Sequence, residues 1–158
     1  MRAGVSASEK RVLQILGKAK ILGREYYSLT GKPMGITGEV AEYEASRLLG
    51  VRLLPARNDG YDALQEGSGG TRRIQIKGRA LPDRYKSGER IGKLDSKKEW
   101  DSAILVILDR EFETREIWEA TRRDVLRALS KPGSKARNER GQLSVASFKR
   151  IALRRWPP

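Results

Sequence analysis

The sequence predicts an α/β domain with one mixed β-sheet flanked by helices, on three observations. Apolar residues recur at three- and four-residue spacing in two early segments, alternate with polar residues before position 77, and run unbroken through Ala103-Ile104-Leu105-Val106-Ile107-Leu108. These are the patterns of amphipathic helices, of half-exposed strands and of a strand covered on both faces. A chain of 158 residues suits a single domain with one core. Its parts are a basic N-terminal helix and loop (1–34), a core (35–130) and a basic C-terminal extension (131–158).

Ser8-Glu9-Lys10-Arg11 opens the first helix, in which Val12, Leu13, Leu16 and Ala19 recur and Gly23 marks the expected end. A second helix is expected over 37–49, stopped by Gly50. Val51-Arg52-Leu53-Leu54 reads as a strand, Asn58-Asp59-Gly60 as a turn and Tyr61-Asp62-Ala63-Leu64 as a second strand. Gly67-Ser68-Gly69-Gly70 is a hairpin loop leading into Arg72-Arg73-Ile74-Gln75-Ile76-Lys77, where the period of two puts Gln75 and Lys77 on one face. The polar stretch 81–98 is expected to be a long surface loop. After the apolar run come a strand at Glu116-Ile117-Trp118-Glu119, a helix from Thr121 stopped by Pro132-Gly133, and a basic loop over 134–142. A short helix near 145–148 and a terminal strand over 151–156 complete the chain.

Composition narrows the chemistry. The chain has neither Cys nor His, which removes disulfides, thiolate and imidazole zinc sites, cysteine nucleophiles and histidine bases. Carboxylates, amides, Lys, Arg, Tyr, Ser or a hard metal ion remain. Thirty-three Lys and Arg against 20 Asp and Glu give a formal charge of +13, a balance suited to a polyanion such as nucleic acid. From Thr121 onward eleven cations face two acids, so +9 of the +13 lies there, and Lys135, Arg137 and Arg140 are candidate phosphate contacts. Lys18 and Lys20 break the apolar stretch Val12-Leu13-Gln14-Ile15-Leu16 well short of the roughly 20 residues of a membrane span. A cytoplasmic protein without a membrane partner is therefore expected.

Asp62 and the pair Gln75 and Lys77 fall on consecutive strands, and adjacent strands lie about 4.8 Å apart. A carboxylate on one and side chains on the other can then converge on one hard cation. Asp62, the Gln75 side-chain carbonyl and the Ile76 backbone carbonyl offer the oxygen ligands that Mg²⁺ or Mn²⁺ takes, and Lys77 stands where it can orient a water or stabilise charge on an attacked phosphate. Spacing alone equally admits a turn carboxylate and a solvent-facing lysine. Arg72, Arg73 and Arg79 bracket this segment, and Lys86, Arg90, Lys93, Lys97 and Lys98 fill the loop after it. Together they suit phosphate contacts that position a strand without reading its sequence.

Gly60-Tyr61-Asp62-Ala63-Leu64 followed by Ile74-Gln75-Ile76-Lys77-Gly78-Arg79 resembles the PD-(D/E)xK core of restriction-endonuclease-like nucleases, in the Mrr-like variant where Gln replaces the second acid. Gly35-Ile36-Thr37-Gly38-Glu39-Val40-Ala41-Glu42-Tyr43-Glu44-Ala45 is similar to the first helix of Holliday-junction resolvases, which carries a metal-associated glutamate. The resemblance implies a three-layer nuclease core and a Mg²⁺- or Mn²⁺-dependent endonuclease acting on DNA. Its site would be Glu39, Asp62, Gln75 and Lys77, with Ile76 contributing its carbonyl. Glu39, four residues after Gly35, is preferred as the helix glutamate over Glu42, although an acid in a first helical turn also needs no metal. The resemblance further allows a homodimer, since two sites cut two strands. Two features depart from the pattern: no proline precedes Asp62, and Gln75 is neutral. The latter motivates the alternative of a non-catalytic nucleic-acid-binding module on the same fold.

Overall fold

The computed structural model describes residues 5–55, 60–86 and 88–158. In chain order the elements are α1 (Ala7–Thr30), α2 (Thr37–Leu49), β1 (Arg52–Leu53), β2 (Ala63–Gly67), β3 (Gly70–Ala80), β4 (Arg90–Lys93) and β5 (Ser102–Leu108). There follow β6 (Thr114–Thr121), α3 (Arg122–Leu129), α4 (Lys135–Asn138), β7 (Gln142–Ser144), α5 (Val145–Ile151) and β8 (Leu153–Trp156). A mixed sheet in the order β1-β2-β3-β5-β6-β8 forms the middle, and a two-stranded sheet pairs β4 with β7. Within the large sheet β3 and β5 run parallel and the other pairs antiparallel. The α/β class with helices flanking a mixed sheet is thus the architecture of the chain.

The pleat divides the core. Ile74 and Ile76 of β3 join Ile104 and Val106 of β5 and Val40, Ala41 and Ala45 of α2 on one face. Leu105 and Ile107 point to the other, against Trp100, Ile91 and Leu94, Val125 of α3 and Phe148 of α5. Every residue of β5 is buried, as its unbroken apolar run requires, and each such Leu or Ile stabilises the fold by about 1.5–3 kcal/mol relative to exposure.

Helix α1 departs from its expected end. It begins with a capping box, Ser6 Oγ accepting from Glu9 N–H at 3.2 Å while Ser6 N–H donates to the Glu9 carboxylate at 2.6 Å. It then continues through Gly23 to a left-handed cap at Gly31. Gly23 is kept because a Cβ there would lie 2.7 Å from the Phe112 ring. The glycine is a contact point and not a stop signal. Helix α2 matches its expected bounds, with Gly50 in the left-handed conformation.

The stretch 81–98 is not wholly a surface loop. Leu81, Ile91 and Leu94 are buried, and β4 within it pairs with β7 some fifty residues on. Likewise the expected basic loop over 134–142 contains α4 and leads into β7. Asn58 and Asp59 of the expected turn lie outside the described residues. No helix among the described residues is long and apolar enough to cross a membrane.

Gly78 sets how closely α2 approaches β3. A Cβ at this position would fall 2.5 Å from Ala41 Cβ and 2.8 Å from Thr37 O, distances that require α2 to move. Gly78→Ala is expected to cost about 1–3 kcal/mol in chemical denaturation through this overpacking. Unchanged stability would show that α2 tolerates displacement.

Candidate active site

The site forms where two strands part. β2 pairs with β3 as far as Ala63 opposite Ile74, whereas β3 continues to Ala80 beside β5. Asp62 stands at the fork. Its N–H still donates to Ile74 O at 2.8 Å, and its carboxylate accepts the next free β3 amide, Ile76 N–H, at 2.6 Å. A backbone donor that would otherwise be orphaned thereby fixes one oxygen of Asp62. Gln75 and Lys77, flanking Ile76, share the opposite pleat from the α2-facing Ile74 and Ile76.

Glu42 of α2 completes a cluster of ionisable groups. Burial first, then the nearby charges of Asp62 and Glu39, push its carboxyl up to about 7, and Lys77 opposes the rise. Burial also pushes the Lys77 ammonium below its ordinary value, assisted by Arg79, while Asp62 and Glu42 support its charge. Glu39, the glutamate preferred from the sequence, is exposed one turn earlier. It acts on the cluster through its charge on Glu42. The helical period puts Glu39 and Glu42 on one face and does not separate them; in the fold Glu42 is partly buried beside Ala41 and Ala45, whereas Glu39, one turn earlier, is exposed.

Because the folded state raises the pKa of Glu42, its protonated form is favoured, and the resulting stability is lost as pH rises from the ordinary carboxylate value through about 7. Glu42→Gln is therefore expected to be more stable than the parent at pH 8 in metal-free buffer. The gain is about 1 kcal/mol, because solvent reaching this half-buried side chain screens the effect, and it vanishes near pH 4.5. Urea denaturation at the two pH values checks this, and an equal or larger gain at the lower pH would contradict it.

Gln75 holds the observation of greatest chemical weight. The side chain is 91% buried, that is 9% exposed, and its Oε1 is the buried side-chain oxygen that has no hydrogen-bond partner among the described residues. A buried carbonyl oxygen without a donor costs about 1–3 kcal/mol, and a water or cation offsets that cost. The donor set fits a hard cation loosely: no three acidic residues among the described residues converge as a metal cage. Two carboxylates, Asp62 and Glu42, would need the Gln75 carbonyl and backbone oxygen such as that of Ile76 to make up the coordination.

The cations expected to contact phosphate divide into two sets. Arg73 pairs with Asp101 at 3.0 Å and Glu99 at 2.7 Å, and its backbone N–H also donates to the Asp101 carboxylate at 2.7 Å. Arg72 binds the buried Glu119 at 2.9 Å and Gln65 at 2.6 Å. Both lie at the far end of β3 from Lys77 and tie the sheet together. Arg137 donates to the carbonyls of Lys131 and Pro132. Elsewhere in the basic extension, Arg155 pairs with Glu119 and Lys149 with Glu116. By contrast, Arg79, Lys86 and Arg90 line an open cleft of about 480 Å³ with Gly88 and Glu89. This cleft reaches the site through Arg79, two residues along β3 from Lys77 and close enough for its charge to lower the Lys77 pKa. Arg79 Nε donates to Arg90 O and Arg90 Nη1 to Gln142 O at 3.1 Å, so these two also brace β4 and β7 while lining the cleft. Lys86, Lys93, Lys135 and Arg140 are exposed.

Two carboxylates that sequence reasoning had not singled out are buried in ion networks. Glu44, fully buried, binds Lys20, Arg47 and Thr114, and Glu119 binds Arg72, Arg155 and Ser102. Neither lies in the fork. No protein-family model matches the chain, and no curated protein sequence matches it significantly.

Proposed function

We propose that the protein is a divalent-metal-dependent endonuclease with a restriction-endonuclease-like core, cutting phosphodiester bonds in DNA at the fork between β2 and β3. The observation that carries this reading is the unpartnered, buried Gln75 Oε1 beside a carboxylate fixed by Ile76 N–H. Asp62, Glu42 and Gln75, with the Ile76 carbonyl, would hold Mg²⁺ or Mn²⁺, and such an ion when bound polarises the phosphodiester and offsets its charge. Lys77 serves the charge that builds on the phosphate as water adds to phosphorus and one P–O ester bond breaks. The Arg79, Lys86 and Arg90 cleft positions the phosphate chain. In this reading Glu39 tunes Glu42, and Arg72, Arg73 and Arg137 support the fold.

The test is incubation of supercoiled plasmid and branched DNA with the protein and Mg²⁺ or Mn²⁺, beside Asp62→Ala. Cleavage is expected from the parent chain only with metal, and not from the variant. Equal cleavage by both overturns the assignment. A second reading, a nucleic-acid-binding module without cleavage, is favoured by the neutral Gln75 and by the lack of three converging acids among the described residues. Salt-sensitive DNA binding without product, unchanged on chelation, selects it.

A further inference from the structure

Helix α1 carries two apolar stripes, and its own domain uses one. Across its 24 residues only Gly23 is buried, and Leu13, Leu16 and Tyr27 are half-buried on the same side. The other stripe consists of Val12, Ile15, Ala19, Leu22, Tyr26 and Leu29, and its large members are exposed: Ile15 51%, Leu22 58% and Leu29 79%. A contiguous apolar patch of this kind on a helix marks an interaction surface.

The spacing identifies the partner. From 12 to 29 the steps are three, four, three, four and three, a 3.5-residue repeat that suits packing against another helix. Read backwards, the same steps recur. Two antiparallel copies therefore stack every layer at once: Val12 on Leu29, Ile15 on Tyr26 and Ala19 on Leu22 of the second copy, over about 26 Å.

Charge selects the same arrangement. Arg11, Lys18 and Glu25 flank the stripe on its outer edge. In the antiparallel register Lys18 of each copy meets Glu25 of the other, giving two complementary pairs by symmetry. In a parallel register Lys18 and Glu25 would lie beside Gly23 and Thr30 of the other copy, and no pair forms.

We infer that the exposed stripe of α1 is a self-association surface, joining two copies of this chain through antiparallel α1 helices. The interface stands apart from the fork and does not depend on the nuclease reading.

Sedimentation velocity across the micromolar range is expected to show a dimer. Lys18→Glu is expected to weaken it about tenfold, and Lys18→Glu with Glu25→Lys to restore it; circular dichroism verifies that these surface variants fold. The chain has no cysteine, so single Val12→Cys and Leu29→Cys proteins can be treated with a short bismaleimide separately and as an equimolar mixture. Cross-linking in the mixture but in neither protein alone supports the antiparallel dimer. A monomer throughout the concentration range, no rescue by the charge exchange, or cross-linking of Val12→Cys with itself overturns it.

Discussion

Replacement of Lys77 by alanine is expected to lower the proposed metal-dependent cleavage by about 10²–10³-fold, the usual consequence of removing one preorganised donor from a site where charge develops. Lys77 sits on β3 beside the fork. It shares a pleat with the buried Gln75, stands near the charges of Asp62 and Glu42, and has its ammonium held below the ordinary value by burial. Burial that disfavours the charged form in the fold makes the loss of Lys77 neutral or slightly stabilising at neutral pH. The variant should therefore melt no earlier than the parent while losing activity, and its affinity for DNA should change little because the cleft cations remain. Lys77→Arg should not restore the rate, since the planar, bulkier guanidinium does not take the place of a compact ammonium. Single-turnover cleavage with saturating protein separates binding from chemistry. A Lys77→Ala protein cutting at the parental rate would remove Lys77 from the mechanism.

Glu44→Ala is expected to destabilise the fold by about 3 kcal/mol and lower Tm by about 10 °C. Glu44 lies fully buried between α1 and β6, accepting from Thr114 Oγ1 at 2.5 Å and paired with Lys20 at 3.3 Å and Arg47 at 2.8 Å. Lys20 is itself mostly buried and would keep only the half-exposed Glu113 at 3.1 Å, so truncation of Glu44 leaves a cation with a weaker partner and takes the carboxylate from the Thr114 hydroxyl. Burial is the largest single influence on Glu44 and pushes its pKa up, but Arg47, Thr114 and Lys20 together hold it below the ordinary value. Its contribution is thus present above the ordinary carboxylate pKa and lost as pH falls through the lowered one. The gap between variant and parent should be full at pH 7 and narrow under acid. A gap below about 1 kcal/mol at pH 7 would mean that the network orders the α1 contact without stabilising it.

What could be read from the sequence was local. Gly50 ended α2, the Gly67 to Gly70 stretch turned β2 into β3, and the unbroken apolar run was the central strand, each because the determining interaction lies within a few residues. The two-residue period also placed Gln75 and Lys77 together. What escaped was settled by distant partners. Gly23 reads as a helix stop until Phe112 occupies the space where its side chain would be. β4 looks like loop until β7 pairs with it. Glu44 and Glu119 look like surface acids, and Arg72 and Arg73 like free phosphate contacts, because nothing nearby in sequence shows the opposite charge each one meets. Glu42 exceeded Glu39 in proximity to the fork for a similar reason: the side of α2 that meets β3 depends on Gly78, some forty residues downstream.

The strand β3 has one neighbour formed by a two-residue hairpin turn and another reached only after a crossover. Its pairing with β2 closes between Gly67 and Gly70, whereas its parallel pairing with β5 joins Ile74 to Ser102 and Ala80 to Leu108. Closing the short loop costs far less chain entropy than closing the long one. The contact between Asp62 and the Ile76 amide is therefore expected to form with the hairpin. Gln75 and Lys77 are enclosed only once β5 is in place beside β3, so the polar fork is expected to be the later-assembled part of the sheet, and pulse-labelled hydrogen exchange should protect the Ile76 amide before those of β5.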